Sequence, residues 1–188
     1  MKTLSEKLVT LRRSAKDLFF EFLGIYNHLS SDRYINKLRS QGCEIGDNTK
    51  FFGKKCLDMG HPQLITIGDN CIITDGVRIL VHAWDQPILA ATFESTPEFS
   101  KMGKVTVGDC VFIGERTIIL PDTEIGSNTI IGAGSVVTTD IPEGSVAAGN
   151  PCRVICSLEE YRDQRVSEEA ADVQQYIKQS LDRDVTVQ

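Results

Sequence analysis

An aliphatic residue recurs at every sixth position along one stretch of the chain: Val107, Ile113, Ile119, Ile125, Ile131 and Val137. Glycine often follows it, at Gly108, Gly114, Gly126 and Gly132. Four places after it stands a small or β-branched residue: Val111, Thr117, Thr123, Thr129 and Ser135. The same register shows earlier at Ile45-Gly46, Ile67-Gly68, Ile73 and Ile79. A helix cannot carry this pattern, because its turn does not divide six and glycine at such density would melt it. Strict alternation is missing too. The pattern predicts very short strands separated by turns, with one aliphatic side chain per turn pointing inward. Three hexads would complete one coil of a triangular parallel β-helix, and coils would stack at about 4.8 Å. Glycine, Asn and Asp after the aliphatic residue suit tight corners. One coil cannot bury a core alone, so stacking is obligatory.

The register breaks once, between Ile79 and Val107, whose separation is not a multiple of six. Residues 83–104 therefore read as an inserted loop, and loops of that length are usually functional or disordered. Trp84, Phe93 and Phe99 lie in it, so packing against another surface is expected. Charge divides the chain further. Residues 1–41 carry 8 basic and 4 acidic side chains, residues 42–155 carry 8 and 14, and residues 156–188 carry 4 and 8. These three segments are read as an N-terminal helical segment, the β-helix domain and a C-terminal helical tail. Leu4, Leu8, Leu11, Ala15, Leu18, Phe22 and Ile25 follow helical spacing. A second short helix is expected over residues 31–38. Residues 157–181 are rich in helix formers and poor in apolar residues, which predicts a helix lying on the outside. Both ends are expected to cap the open coils, since uncovered terminal strands invite edge pairing.

At 188 residues and a net charge of −6, the chain suits a single soluble domain with short appendages and not a protein living on bare nucleic acid. The apolar run at residues 18–26 is interrupted by Glu21 and is too short to span a bilayer. Arg12, Arg13 and Lys16 beside it would suit a membrane surface, but a packing helix is the preferred reading. Residues 1–11 lack the apolar region of a signal peptide. Six cysteines in 188 residues, with no CxxC pair, are too sparse for a disulfide scaffold. With only three histidines, no Cys/His metal site is expected. A reduced, cytoplasmic protein follows. Cys71 and Cys110 fall inside hexads, where buried small side chains are expected.

The stretches ITIGDNCII, VRILVHAWD and KVTVGDCVFIGERTIILPDTEIGSNTIIGAGSVVTTDIPEGSVAAGNPCRVI together resemble the hexapeptide-repeat acyltransferases. The likeness runs over residues 65–155 and points to the maltose/galactoside O-acetyltransferases and the capsule and O-antigen polysaccharide O-acetyltransferases. IGAGSVVT followed by AAGNP is its most specific part, and CSLEEYRDQR resembles the tail of the polysaccharide-modifying group. The resemblance implies a mainly β fold built on a left-handed parallel β-helix; composition alone shows no hand. It also implies a homotrimer with active sites between neighbouring subunits, and acetyl-CoA as the donor.

His82 ends the last regular strand before the inserted loop, where the family keeps its catalytic histidine. A sugar hydroxyl attacks poorly until its proton leaves, and a neutral imidazole can take that proton near physiological pH. Asp85 would orient the imidazole or be a solvated loop carboxylate. Trp84 would wall a sugar ring or the pantetheine arm, or simply pack the loop. Asp58 would bind an acceptor hydroxyl, help orient a neighbour's His82, or be an ordinary turn residue. His61 and His28 are read as structural or exposed. By the family's motif, Gly114, Ala133 and Thr138 would line the pantetheine and Arg153 would meet the CoA phosphates, with Asn150 and Pro151 shaping that corner. Thr139 stands where the family commonly has Lys, Cys156 where a basic residue is frequent, and Glu115 where a small one is frequent. Arg116, Lys101 and Lys104 are the candidate replacements for the missing cations.

The resulting expectation is acetyl-CoA-dependent O-acetylation of a sugar or polysaccharide precursor by direct attack on the thioester. The alternatives are N-acetylation of an amino-sugar nucleotide, an antibiotic or serine, and a non-catalytic trimeric scaffold. A zinc hydratase of similar fold needs three histidine ligands, for which His28, His61 and His82 are unsuitably spaced. A cysteine nucleophile is disfavoured, because no histidine neighbours Cys71 or Cys110 in sequence.

Overall fold

The computed structural model describes residues 31–52, 57, 60–95, 101–169 and 172. The helix read over residues 4–25, Asp58, Phe99 and the end of the tail lie outside them. Three parallel sheets run side by side, and the chain feeds them in rotation. Sheet A holds β1 (Glu44–Ile45), β3 (Ile65–Ile67), β6 (Val105–Val107) and β9 (Thr123–Ile125). Sheet B holds β2 (Lys50–Phe51), β4 (Ile72–Ile73), β7 (Phe112–Ile113), β10 (Ile130–Ile131) and β12 (Ser145–Ala148). Sheet C holds β5 (Arg78–Ile79), β8 (Ile118–Ile119) and β11 (Val136–Val137). A last strand, β13 (Arg153–Ser157), turns back antiparallel along β12.

The register reports the coil length directly. Val107 faces Ile125, Ile113 faces Ile131 and Ile119 faces Val137, each 18 positions apart. The first step is longer by four: Ile45 faces Ile67, Phe51 faces Ile73 and Leu57 bridges to Ile79. The second step is longer by 22, with Ile73 opposite Ile113. The four extra residues fall between Leu57 and Ile65, and the 22 extra between Ile79 and Val105. Both departures therefore occur at one corner, where the chain passes from sheet C to sheet A.

Every hexad aliphatic residue from Val107 to Val137 is buried, as are Val111, Thr117, Thr123, Thr129 and Ser135 four places on. Full burial of one such Ile or Val stabilises by about 1.5–3 kcal/mol. The inward hydroxyls are satisfied by the next carbonyls: Thr49 Oγ1 donates to Gly68 O at 2.7 Å, and Ser135 Oγ to Gly132 O at 2.6 Å. They escape the penalty of a buried unpaired polar group.

The glycine after each aliphatic residue has a different role from the expected one. Left-handed backbone lies two places further on, at Asn48, Asn70, Cys110, Arg116, Asp122, Asn128 and Gly134. The glycines themselves are needed for close approach: a Cβ on Gly108 would stand 2.7 Å from Ser127 N, and one on Gly68 2.8 Å from Gly108 C. Corner conformation and coil spacing are thus set by separate positions of the hexad.

The same offset corrects the reading of the cysteines. Cys71 occupies the inward position and is buried, whereas Cys110 occupies the left-handed corner and is exposed. Burial raises the Cys71 and Cys152 thiols and pushes Cys43 up to about 12, with Glu44 adding to the last. The unfolded thiol ionises near ~8.5. Folded-state stability from Cys43 is therefore complete below that pH and is lost as pH rises from there towards about 12, and the raised Cys71 and Cys152 thiols act in the same direction. A thiol reagent at pH ~8 is expected to label Cys110 promptly and Cys43 and Cys71 only on unfolding, as read by peptide mass spectrometry. Prompt labelling of Cys71 would contradict the inward assignment.

The helix Ser31–Ser40 covers the first coil, burying Ile35 and Leu38, with Tyr34 edge-on to Phe51 at 5.6 Å between centroids. Its Arg39 guanidinium donates to Ile45 O at 2.9 and 2.7 Å and to Gly46 O at 2.9 Å, covering carbonyls of the terminal strand. At the other end, residues 158–169 are helical and mostly exposed. Ser157 and Glu160 form a capping box there: Glu160 N donates to Ser157 Oγ at 3.1 Å and Ser157 N donates to Glu160 Oε2 at 2.8 Å. These bonds to Ser157 hold the Glu160 carboxyl below its ordinary range. No helix among the described residues is long and apolar enough to cross a membrane.

Candidate active site

Val81 and His82 follow β5, directly where the long insertion begins. Two backbone bonds tie the ends of that insertion together: Ala83 N donates to Lys101 O at 2.9 Å, and Gly103 N donates to Val81 O at 2.9 Å. They make His82 bridge antiparallel to Met102. The imidazole is half-buried, and its Nδ1 is out of solvent contact. Trp84 lies edge-on to it, with ring centroids 5.4 Å apart at 82°. His61 lies edge-on at 6.1 Å and 78°.

Asp85 is exposed at the start of the short helix Gln86–Thr92 and makes no side-chain capping bond. Its carbonyl accepts from Ile88 N at 3.0 Å and Leu89 N at 3.1 Å. This helix and its flanks leave large apolar side chains in solvent: Trp84 is 76% exposed and Ile88 69%. The rings that meet His82 are thus those of Trp84 and His61.

The residues expected at the donor divide between the two edges of sheet C. Gly114 and Ala133 stack in successive coils at the corner between sheets B and C, where a Cβ on Gly114 would meet Ala133 Cα at 2.8 Å. Arg116 sits in the same corner, its N–H donating to Asp75 O at 3.0 Å, between Gly76 and Gly134 of the adjoining coils. Thr138 and Thr139 leave β11 at the opposite edge, the one that carries His82, and both are exposed. Leu80 and Leu120 link the two by register, since Leu80 N donates to Ile119 O and Leu120 N to Val137 O. Arg153 is exposed beyond the cis Asn150–Pro151 bond, at the end of the coil, with Nη1 donating to Cys152 O at 2.7 Å. Of the candidate replacement cations, Lys101 is paired with Asp122 at 2.9 Å, while Arg116 shares the corner of Gly114 and Ala133. Among the described residues no three His, Cys, Asp or Glu side chains converge to hold a metal ion. A hollow lined by Glu124, Asp140 and Glu143 lies on the sheet A side, away from these residues.

Residues 104–139 match the family described as bacterial transferase hexapeptide (six repeats). A Bacillus subtilis protein provisionally named acetyltransferase YvoF is 34% identical over 142 residues, covering 76% of this chain and 72% of that protein. The chain belongs to the hexapeptide-repeat acyltransferases. It is an acyltransferase by that kinship. Another hexapeptide-repeat relative, the galactoside O-acetyltransferase of Escherichia coli, is 38% identical over 116 residues, 62% of this chain and 55% of that enzyme. The chain thus spans about half the length of that relative. A hexapeptide-repeat acetyltransferase of Vibrio cholerae, solved with acetyl-CoA, shares the fold: its TM-score is 0.51 at 22% identity, covering 84% of this chain and 92% of that one.

His61, expected to be structural or exposed, is half-buried and meets the imidazole of His82. A usable signal was present in the register: Ile45, Phe51 and Leu57 keep six-residue spacing, but Ile67 resumes it four residues late. An insertion at the corner that the next coil also uses for its own insertion brings the two loops together.

Proposed function

We propose that the protein transfers the acetyl group of acetyl-CoA to a hydroxyl of a sugar or polysaccharide precursor, with His82 as general base. The observation that carries this is the placing of His82 at the mouth of the long insertion, half-buried and edge-on to Trp84. Nδ1 faces away from solvent, so Nε2 is the nitrogen assigned to receive the acceptor proton. The hydroxyl oxygen then bonds to the thioester carbonyl carbon, and a backbone N–H shares the charge that collects on the carbonyl oxygen. The tetrahedral carbon collapses, the C–S bond breaks, and the CoA thiolate leaves with the proton from the imidazolium. Nothing covalent forms on the protein.

Kinship with a galactoside O-acetyltransferase supports oxygen as the acceptor atom. The coil is read as left-handed and the assembly as a homotrimer. Sheet A turns Glu44, Thr66, Thr106 and Glu124 outward, while sheet C turns Arg78, Leu80, Ile118, Leu120 and Val136 outward. Sheet C has the more apolar outer face, with Arg78 its one charge in that row, and is the one suited to a neighbouring subunit; it carries the donor residues on both edges. Gly114, Ala133 and Thr138 would line the pantetheine arm, with Thr139 nearby. Arg153 would meet the phosphates, with Arg116 in place of a missing cation. Trp84, Asp85 and Asp58 are assigned to the acceptor side.

Calorimetric titration with acetyl-CoA tests the donor half, and acetyl transfer to a panel of sugars and nucleotide-sugars tests the acceptor half. The expected result is one donor site per subunit and stabilisation by about 2.7 kcal/mol at 100 times Kd. Absence of binding at millimolar donor, with and without the acceptors, would overturn the reading in favour of a scaffold. Transfer only to amino groups would move it to N-acetylation.

A further inference from the structure

The geometry points to His61 as a positioning residue that, together with Trp84, holds the His82 imidazole in one plane; this rests on the reading of His82 as the base. A histidine ring turns broadly about its outer torsion. A base must nevertheless present one nitrogen within hydrogen-bond reach of the acceptor hydroxyl. Here the ring meets two others, each nearly perpendicular to it: His61 at 78° and Trp84 at 82°. Both separations, 6.1 and 5.4 Å, fall in the range of attractive edge-to-face pairs. Two perpendicular neighbours restrict rotation more than one does.

The backbone of His61 is itself constrained. It precedes Pro62, which is buried and starts the 3-10 turn Pro62–Leu64. Leu64 N donates to His61 O at 3.1 Å, and Ile65 N donates to Pro62 O, leading straight into β3. His61 is therefore tied to the rigid coil within four residues, although it belongs to an insertion. Trp84 by contrast is mostly exposed and starts the longer insertion. The fixed wall of the clamp is His61, and Trp84 is the wall that an arriving acceptor can adjust.

The test compares His61→Ala and His61→Phe in the full chain, with turnover and the relaxation of His82 ring carbons as paired readouts. His61→Ala is expected to lower kcat about 10- to 100-fold, as misplacement of a reacting group does, with KM for acetyl-CoA little changed. Its His82 ring should gain motion. His61→Phe keeps the edge-on contact and is expected to recover most of kcat and the wild-type ring order. Wild-type kcat in His61→Ala would overturn the proposal. A loss in His61→Ala with no change in His82 ring motion, or equal losses in the two variants, would overturn it too. The relaxation arm needs no acetyl transfer. If the wild-type protein acetylates nothing, the O-acetyltransferase reading fails, while freed motion of His82 in His61→Ala alone still supports the clamp.

Discussion

Replacing His82 with Ala is expected to lower kcat by about 10²–10⁴-fold, the usual contribution of a general base. Acetyl-CoA affinity should stay within about twofold, because Gly114 and Ala133 lie at the corner between sheets B and C, across the sheet from the imidazole, and Thr138 and Thr139 are held by β11 and not by His82. The melting temperature should change little, since His82 is half-buried and lies outside the stacked core. The check is a steady-state assay with calorimetric titration of the same variant. Turnover equal to wild type would remove the general-base assignment. Equal loss of donor binding would mean that His82 shapes the donor groove and not the chemistry.

Gly114→Val should be the costliest of the hexad-glycine changes for fold and function together. A Cβ there would meet the Ala133 N–H and stand 2.8 Å from Ala133 Cα and 2.9 Å from Gly132 C. All three are backbone atoms of the next coil, held by Gly114 N donating to Ile131 O at 2.8 Å, so they cannot swing aside. Overpacking of this kind costs about 1–3 kcal/mol and occasionally more. In a chain of this size that lowers the melting temperature by about 2–4 °C per kcal/mol. Donor affinity should fall with it, because the wedge opens the column assigned to the pantetheine arm. Gly134→Asn is the matched control: a Cβ there meets nothing within 4 Å, and Asn128 already adopts the same left-handed corner one hexad earlier. Scanning calorimetry that shows the two variants equally stable would refute the separation of the two glycine roles.

The hexad was legible because the strands from β1 to β11 are only two or three residues long and each turns its hexad apolar side chain into the core. That inward set survives intact from Ile45 to Val137. Division of labour within the hexad was not legible. Glycine serves both left-handed corners and close approach, and composition cannot separate the two; the positions of Asn48, Asn70, Asp122 and Asn128 do so once the backbone is known. Cys110 was misjudged for the same reason, by a single residue of offset from Cys71's place in the hexad. The start of the tail helix, expected at residue 157, is fixed by Ser157 and Glu160, whose three-residue spacing forms its capping box. His82 is a candidate on the resemblance alone. The approach of His61 depends on two chain segments meeting across coils, a relation that exists only after the register of β1, β3 and β5 is set.

The two short bonds that close the long insertion, Ala83 to Lys101 and Val81 to Gly103, separate it mechanically from the repeat. β5 and β6 enter and leave the stack with Ile79 opposite Ile119 and Val107 opposite Ile125, whatever lies between them. The segment behaves as an interchangeable cassette plugged into a frame of constant pitch. Its length and side chains can drift, or be exchanged by design, without shifting a single coil. If the proposed donor and acceptor assignments hold, a scaffold so arranged separates the inheritance of the donor site from that of acceptor preference.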